Sequence, residues 1–256
     1  EIYTLSLHDA LPIWSARGEK MVFKKGMLYG IADIKEAEKA ESEAYKTGFL
    51  YKLEEALKGG LELVQLRYKK PSSKELLYEY ALKAFELAKK YNTAFIVNDY
   101  IELAKEIEAD GIHLGQEDIK TTGISEVRRT FGVGKIIGVT AKTFEFAKKA
   151  QELGADYIGS GAVFATVTKE DAQSMGLAEL KRICESLTIP VFAIGGINIS
   201  NLAKLRELPI TGVAIAGGIF NTDEVRNQVL KLREALADWA ALTADQIGRA
   251  SCRERV

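Results

Sequence analysis

The chain has 256 residues, 47% hydrophobic and 28% charged, with a formal net charge of −1. That balance suits one soluble globular domain with a sizeable core. It excludes a general nucleic-acid binder, which carries a strong basic bias, and no apolar run approaches the roughly 20 residues of a membrane span.

Two cysteines, Cys184 and Cys252, are too few for a disulfide framework and too far apart for a metal knuckle, so a reducing cytoplasm is the expected compartment. Residues 1–20 open the chain without the periodicity of the rest. The stretch Ser6–Ile13 resembles translated sequencing-adapter read-through, and so does the tail Ile247–Val256. A signal peptide would need a basic start, a longer apolar run and a small-residue cleavage site. The expectation is that 1–20 and 241–256 are non-native extensions around a domain at 21–240. The native start is then Met21 or Met27.

Within that domain, short apolar runs alternate with amphipathic stretches. Strands are predicted at Leu28–Ala32, Leu61–Leu66, Ala94–Val97, Gly111–Leu114, Lys135–Val139, Tyr157–Ser160, Pro190–Ile194 and Gly212–Ile215. Most are nearly continuous apolar runs, as parallel strands buried on both faces require. Between them, Ser72–Tyr91 repeats Leu76, Leu77, Tyr80, Ala81, Ala84, Phe85 and Ala88 on one helical face. Helices are also predicted over Thr143–Leu153, Leu177–Leu187 and Asp223–Trp239. The charged stretch Lys35–Lys46 reads as a solvated helical face. Eight β-then-α units in about 220 residues predict a single-domain α/β fold, a closed (β/α)₈ TIM barrel, with a doubly wound open sheet as the alternative.

Barrel enzymes carry their chemistry in the loops after the strands, and polar residues recur there. Gln65, Arg67 and Lys69 alternate at the end of the second strand, so period-two geometry turns all three into the barrel mouth. An inward Arg and Lys need an anion, either a bound phosphate or a structural carboxylate at the rim. Asn98 and Asp99 end the third strand, and Asp118 lies past the fourth. Two carboxylates on neighbouring loops suit Mg²⁺, although Asp also caps helices. Thr166, Thr168 and Lys169 follow the sixth strand and could grip a phosphate. Gly195-Gly196 and Ala216-Gly217-Gly218 follow the last two, where bare backbone can approach a phosphate or simply turn tightly. His113 reads as a hydrogen-bonded structural residue before a general base, and Cys184 as core. Thr140 ends the fifth strand with a hydroxyl for a ligand.

Taken together, these motifs resemble the thiamine-phosphate synthase (thiamine-phosphate pyrophosphorylase) family over about Leu28 to Phe220. The resemblance implies that Gln65, Arg67 and Lys69 bind the diphosphate of hydroxymethylpyrimidine diphosphate, and that Asp99 and Asp118 hold Mg²⁺, beside Asn98. It further implies that Thr166 and Thr168 hold a thiazole phosphate while Lys169 reaches the diphosphate, and that Gly196, Ala216 and Gly217 complete the phosphate cup. Arg67, Lys69 and Lys169 are then the catalytic cations of a transferase that joins pyrimidine and thiazole by a dissociative route. Its partners would be small-molecule substrates, with no nucleic acid and no membrane, and assembly into a homo-oligomer stays open. The chain departs from the family where Thr140 stands for Ser, Lys142 for His, Gly161-Ala162 for Gly-Pro, and Gly217 for Ser. A thiazole tautomerase on the same barrel, or a non-catalytic phosphate-ligand-binding barrel, is the alternative.

Overall fold

The computed structural model describes residues 13–14, 20–34, 39–116, 119, 123–132, 134–165 and 175–253. Residues 13–14, 20 and 240–253 are described by their main chain alone. Eight parallel strands close into a barrel: β1 (Met27–Asp33), β2 (Leu63–Arg67), β3 (Ala94–Asn98), β4 (Gly111–Leu114), β5 (Ile136–Ala141), β6 (Tyr157–Gly161), β7 (Val191–Ile194) and β8 (Gly212–Ile215). Each pairs with its sequence neighbour, and β8 closes on β1 through Gly212↔Met27 to Ile215↔Gly30. All eight predicted strands form, with ends shifted by no more than two residues. The open-sheet alternative fails because β8 pairs with both β7 and β1.

The barrel has two apolar layers. Outward side chains such as Leu28, Val64, Phe95, Val97, Ile112, Ile137 and Val139 meet the surrounding helices. Inward side chains Met27, Tyr29, Ile31, Leu63, Ile96, Ile136, Tyr157, Phe192 and Ala214 fill the interior. Phe23, ahead of β1, packs edge-on against Phe192 and tilted on Tyr157, closing the barrel floor. Strands buried on both faces explain why the sequence shows runs rather than alternation.

The outer ring includes α1 (Glu43–Lys58), α2 (Lys74–Lys90), α3 (Ile101–Glu106), α4 (Ile124–Phe131), α5 (Phe144–Glu152), α6 (Gly176–Ser186), a short α7 (Gly217–Phe220) and α8 (Val225–Arg253). Among the described helix starts, three carry side-chain caps: Ser42 accepts from the Tyr45 N–H, Ser73 from Leu76 and Thr143 from Phe146. Such caps are each worth about 1 kcal/mol. Among the described residues, no helix is long and apolar enough to cross a membrane.

Two expectations need correction. The charged stretch Lys35–Lys46 is not one solvated helical face: residues 39–42 form a turn, α1 starts at Glu43, and residues 35–38 lie outside those described. Lys46 within it is 7% exposed, and its Nζ reaches both carboxylate oxygens of Glu79 at 2.8 Å. The last helix also runs past its predicted end at Trp239, to Arg253. Its continuation carries four alanines and two arginines, all strong helix formers.

Candidate active site

A cavity of about 680 Å³ opens at the C-terminal ends of the strands. It gathers Gln65, Arg67, Lys69, Asn98, Asp99, Thr140, Gly196, Ala216 and Gly217, all foreseen from the sequence. Asp118, Thr166, Thr168 and Lys169 lie outside the described residues.

Register builds the cationic wall. In the β1–β2 ladder Asp33 stands opposite Arg67 and Ile31 opposite Gln65. Both side chains therefore emerge on the inner face, and Arg67 Nη1 donates to Asp33 Oδ1 at 2.6 Å. Lys69, just past the strand end, donates from Nζ to Asp99 Oδ2. The two inward cations thus have internal carboxylates. That offsets the cost of holding them in the wall and leaves them as ready-made pairs that an incoming anion can reorganise.

Asp99 is held in an unusual backbone conformation. Its φ is +67°, in the left-handed region that Asp tolerates better than most residues. Its N–H donates to the carbonyl of His113 at 2.9 Å, tying the β3 end to β4. This turn leaves Asp99 Oδ1 buried and without a hydrogen-bond partner, together with Nδ2 of the neighbouring Asn98. A buried carboxylate oxygen that no protein donor satisfies fits a hard cation, which prefers oxygen ligands. Among the described residues no cluster of three metal-binding side chains forms.

Below the mouth, polar side chains cross the barrel in one chain. Gln65 Nε2 donates to the Tyr29 hydroxyl at 2.7 Å, and the Tyr29 and Tyr157 hydroxyls are 2.8 Å apart. The Tyr157 hydroxyl lies 2.9 Å from His113 Nδ1, and His113 Nε2 lies 2.8 Å from Thr140 Oγ1. Burial pushes both phenols well above their ordinary range, so they stay protonated. Two glycines make room for the chain. A Cβ at Gly138 would stand 2.0 Å from Tyr157 Cζ, and one at Gly159 would stand 3.2 Å from His113 Cε1. His113 is thus a bonded residue, as expected, and also part of the cavity wall.

On the opposite side, Gly195 and Gly196 adopt φ of +95° and +67° after β7. A Cβ at Gly196 would lie 2.5 Å from the Ala165 carbonyl, so only glycine fits there. Its own carbonyl accepts from Asn201 Nδ2 at 2.8 Å, which fixes the turn. Gly217 begins α7 with the amide of Asn221 stacked where a side chain would project, 2.7 Å from an ideal Cβ. Asp33, Asn198 and Asn221 line the cavity and escaped the sequence reading. Asp33 has a signal in hindsight: it aligns with Arg67 once both strands start from their apolar runs. Lone asparagines in loops have none. Lys142, one of the departures, also faces this cavity and is exposed.

Several known proteins are similar to this chain in sequence and fold. A thiamine monophosphate synthase family model matches residues 31–219. Thiamine-phosphate synthase from Fusobacterium nucleatum is 45% identical over 177 residues, covering 69% of this chain and 84% of that protein. The Clostridium tetani enzyme of the same name is 46% identical over 174 residues, covering 68% and 81%. Among solved structures, thiamine phosphate pyrophosphorylase from Pyrococcus furiosus superposes with a TM-score of 0.71 at 32% identity, covering 83% of this chain and 96% of that one. With its closed barrel, paired inward cations and glycine-lined cup, the chain belongs to the thiamine monophosphate synthase family.

Proposed function

We propose that this protein is a thiamine-phosphate synthase, a transferase that joins 4-amino-2-methyl-5-hydroxymethylpyrimidine diphosphate to 4-methyl-5-(2-phosphooxyethyl)thiazole, or its carboxylated form. The products are thiamine phosphate and pyrophosphate. The observation that carries this reading is the wall of Arg67 and Lys69, each paired with a carboxylate that a diphosphate can displace. In this reading the C–O bond from the pyrimidine methylene to the diphosphate breaks first. The thiazole nitrogen then forms the C–N bond with the resulting cation.

The chemistry asks for charge stabilisation rather than a strong base. Arg67 offers a planar fork to phosphate oxygens and Lys69 a compact charge, both fixed before the leaving group departs. Lys169 is assigned to the same diphosphate, and Thr166 and Thr168 to the thiazole phosphate, with Gly196 and the backbone of Ala216 and Gly217. Gln65 is reassigned from the diphosphate to the pyrimidine half, because its side chain is buried and turned to the Tyr29 hydroxyl below the mouth. Thr140 is assigned there too, and Asn98 stays beside the metal residues. Asp99 and Asp118 are the residues that would hold Mg²⁺, and the unsatisfied Oδ1 of Asp99 supports that choice. Bound there, Mg²⁺ would neutralise charge on the departing pyrophosphate. Small-molecule substrates and a cytoplasmic setting accompany this reading, with residues 21–240 as the functional unit.

The test is a discontinuous assay with both substrates and Mg²⁺, detecting thiamine phosphate after oxidation to its thiochrome form. Product that disappears with EDTA supports the synthase and its metal. A folded protein that forms no product refutes the assignment.

A further inference from the structure

The buried polar chain beneath the cavity has a direction, and that direction links two ligand-facing residues. Gln65, Tyr29, Tyr157 and His113 are all at most 5% exposed, and Thr140 completes the line at the cavity wall. Both phenols are neutral, so each hydroxyl has one proton to give. When Gln65 donates Nε2–H to Tyr29, the Tyr29 proton goes to Tyr157, and the Tyr157 proton goes to His113 Nδ1. His113, in its neutral form, is then the Nε2–H tautomer and donates to Thr140 Oγ1. Thr140 keeps its hydroxyl proton for the cavity, and Gln65 keeps its Oε1 acceptor. If the Gln65 amide is turned over, every bond reverses: Gln65 then offers N–H and Thr140 offers a lone pair. The two ends are opposite in hydrogen-bonding sense in either case.

We propose that Tyr29, Tyr157 and His113 form a hydrogen-bond relay that keeps Gln65 and Thr140 complementary, so that the site selects a ring presenting one donor and one acceptor. None of the three residues has to touch the ligand to do this. They are positioning residues that act through Gln65 and Thr140. A 4-aminopyrimidine fits such a pair, with its amino group given to Gln65 and a ring nitrogen accepting from Thr140. A ring with a carbonyl in place of the amino group presents the wrong pattern at the Gln65 end. This part rests on the synthase reading above, whereas the relay itself is a property of the ligand-free protein.

The experiment therefore begins without substrate. The chain has two histidines, so His8→Gln leaves His113 as the single imidazole, and ¹⁵N labelling reports its tautomer directly. At pH 8 the relay predicts one dominant tautomer, Nε2–H. Tyr157→Phe removes the donor to Nδ1 and should give a mixed population. Tyr29→Phe is the sharper variant, because Tyr29 bonds to Tyr157 and Gln65 rather than to His113. A relay shifts the His113 population in Tyr29→Phe, and a purely local packing role does not. Far-UV circular dichroism checks that both variants fold.

Kinetics then follow in both variants. KM for the pyrimidine diphosphate should rise about tenfold, the scale of one buried hydrogen bond left unmade, while KM for the thiazole phosphate stays within twofold. An unchanged His113 tautomer in both folded variants overturns the relay. A shifted tautomer with both KM values unchanged overturns its link to substrate selection. Absence of product from the wild-type chain refutes the synthase reading alone, since the tautomer measurement still decides the relay.

Discussion

Replacing Asp99 by Asn separates what this residue does for the fold from what it does for the reaction. The left-handed φ of +67° is tolerated by Asn as well as by Asp, so the β3 turn keeps its geometry. The lost ion pair involves a Lys69 side chain that is 47% exposed, which limits its contribution to about 0–1 kcal/mol. For a chain of this size that is a Tm change of at most about 2–4 °C. Turnover should respond far more strongly. Asp99 brings a buried oxygen with no protein partner to the metal and diphosphate end of the cavity. Losing one preorganised charge-stabilising group of this kind typically removes about 2.7–4 kcal/mol of barrier reduction, a factor of about 10²–10³ in rate. Thiamine phosphate formation by Asp99→Asn, measured across a Mg²⁺ titration, should therefore fall by that factor with the midpoint moved to higher metal. Turnover within tenfold of wild type at an unchanged midpoint would refute the placement of the metal at Asp99.

Gly196→Ala should act on the other substrate. At φ +67°, with a carbonyl 2.5 Å from the added Cβ, the turn is strained by about 1–2 kcal/mol or more. KM for the thiazole phosphate should rise by roughly 5–30-fold with that for the pyrimidine unchanged, and equal rises in both would point to general misfolding. Cys184 should be chemically silent. Burial pushes its thiol up to about 12, so in a Cys252→Ser chain it should stay unlabelled by iodoacetamide at pH 8 and react only after denaturation. The fold prefers the neutral thiol. Its contribution is thus present below the unfolded value near about 8.5 and is lost as pH rises from there towards the folded one. Rapid labelling of the native Cys252→Ser chain would contradict the burial.

The barrel was legible because its strands are buried on both sides. Val64, Val97, Ile112, Ile137 and Val213 announce themselves without reference to any partner. Helices were legible only when amphipathic and long. The 17 residues of α2 carry a clear apolar stripe, whereas α1 exposes Tyr51 and buries Lys46, which blurs its pattern. The six residues of α3 are too short to establish a period. In the site, Gln65, Arg67 and Lys69 could be read from alternation alone. Asp33 could not be read from its own strand: its alignment with Arg67 appears only when two strands separated by a whole helix are laid side by side, where the two make a 2.6 Å contact. The relay was hidden for the same reason: Tyr29 and Tyr157 look like core aromatics, and the partners of the hydrogen-bonded His113 have no name until the barrel closes and brings the three together.

The seam between β8 and β1 also constrains how the molecule is made. Met27 on the first strand finds its partner at Gly212 on the last. At about 5–20 residues per second, the ribosome needs roughly 10–40 s to deliver the intervening chain. Through that interval one edge of β1 lacks its neighbour, and the inward Tyr29 and Ile31 lack the roof and floor they will share with β8 and Phe192. A nascent chain stalled before residue 212 would present two unpaired strand edges, on β1 and β7. Closure of the barrel therefore waits for the last strand, and unpaired edges of this kind make a partly made chain prone to aggregate until that strand arrives.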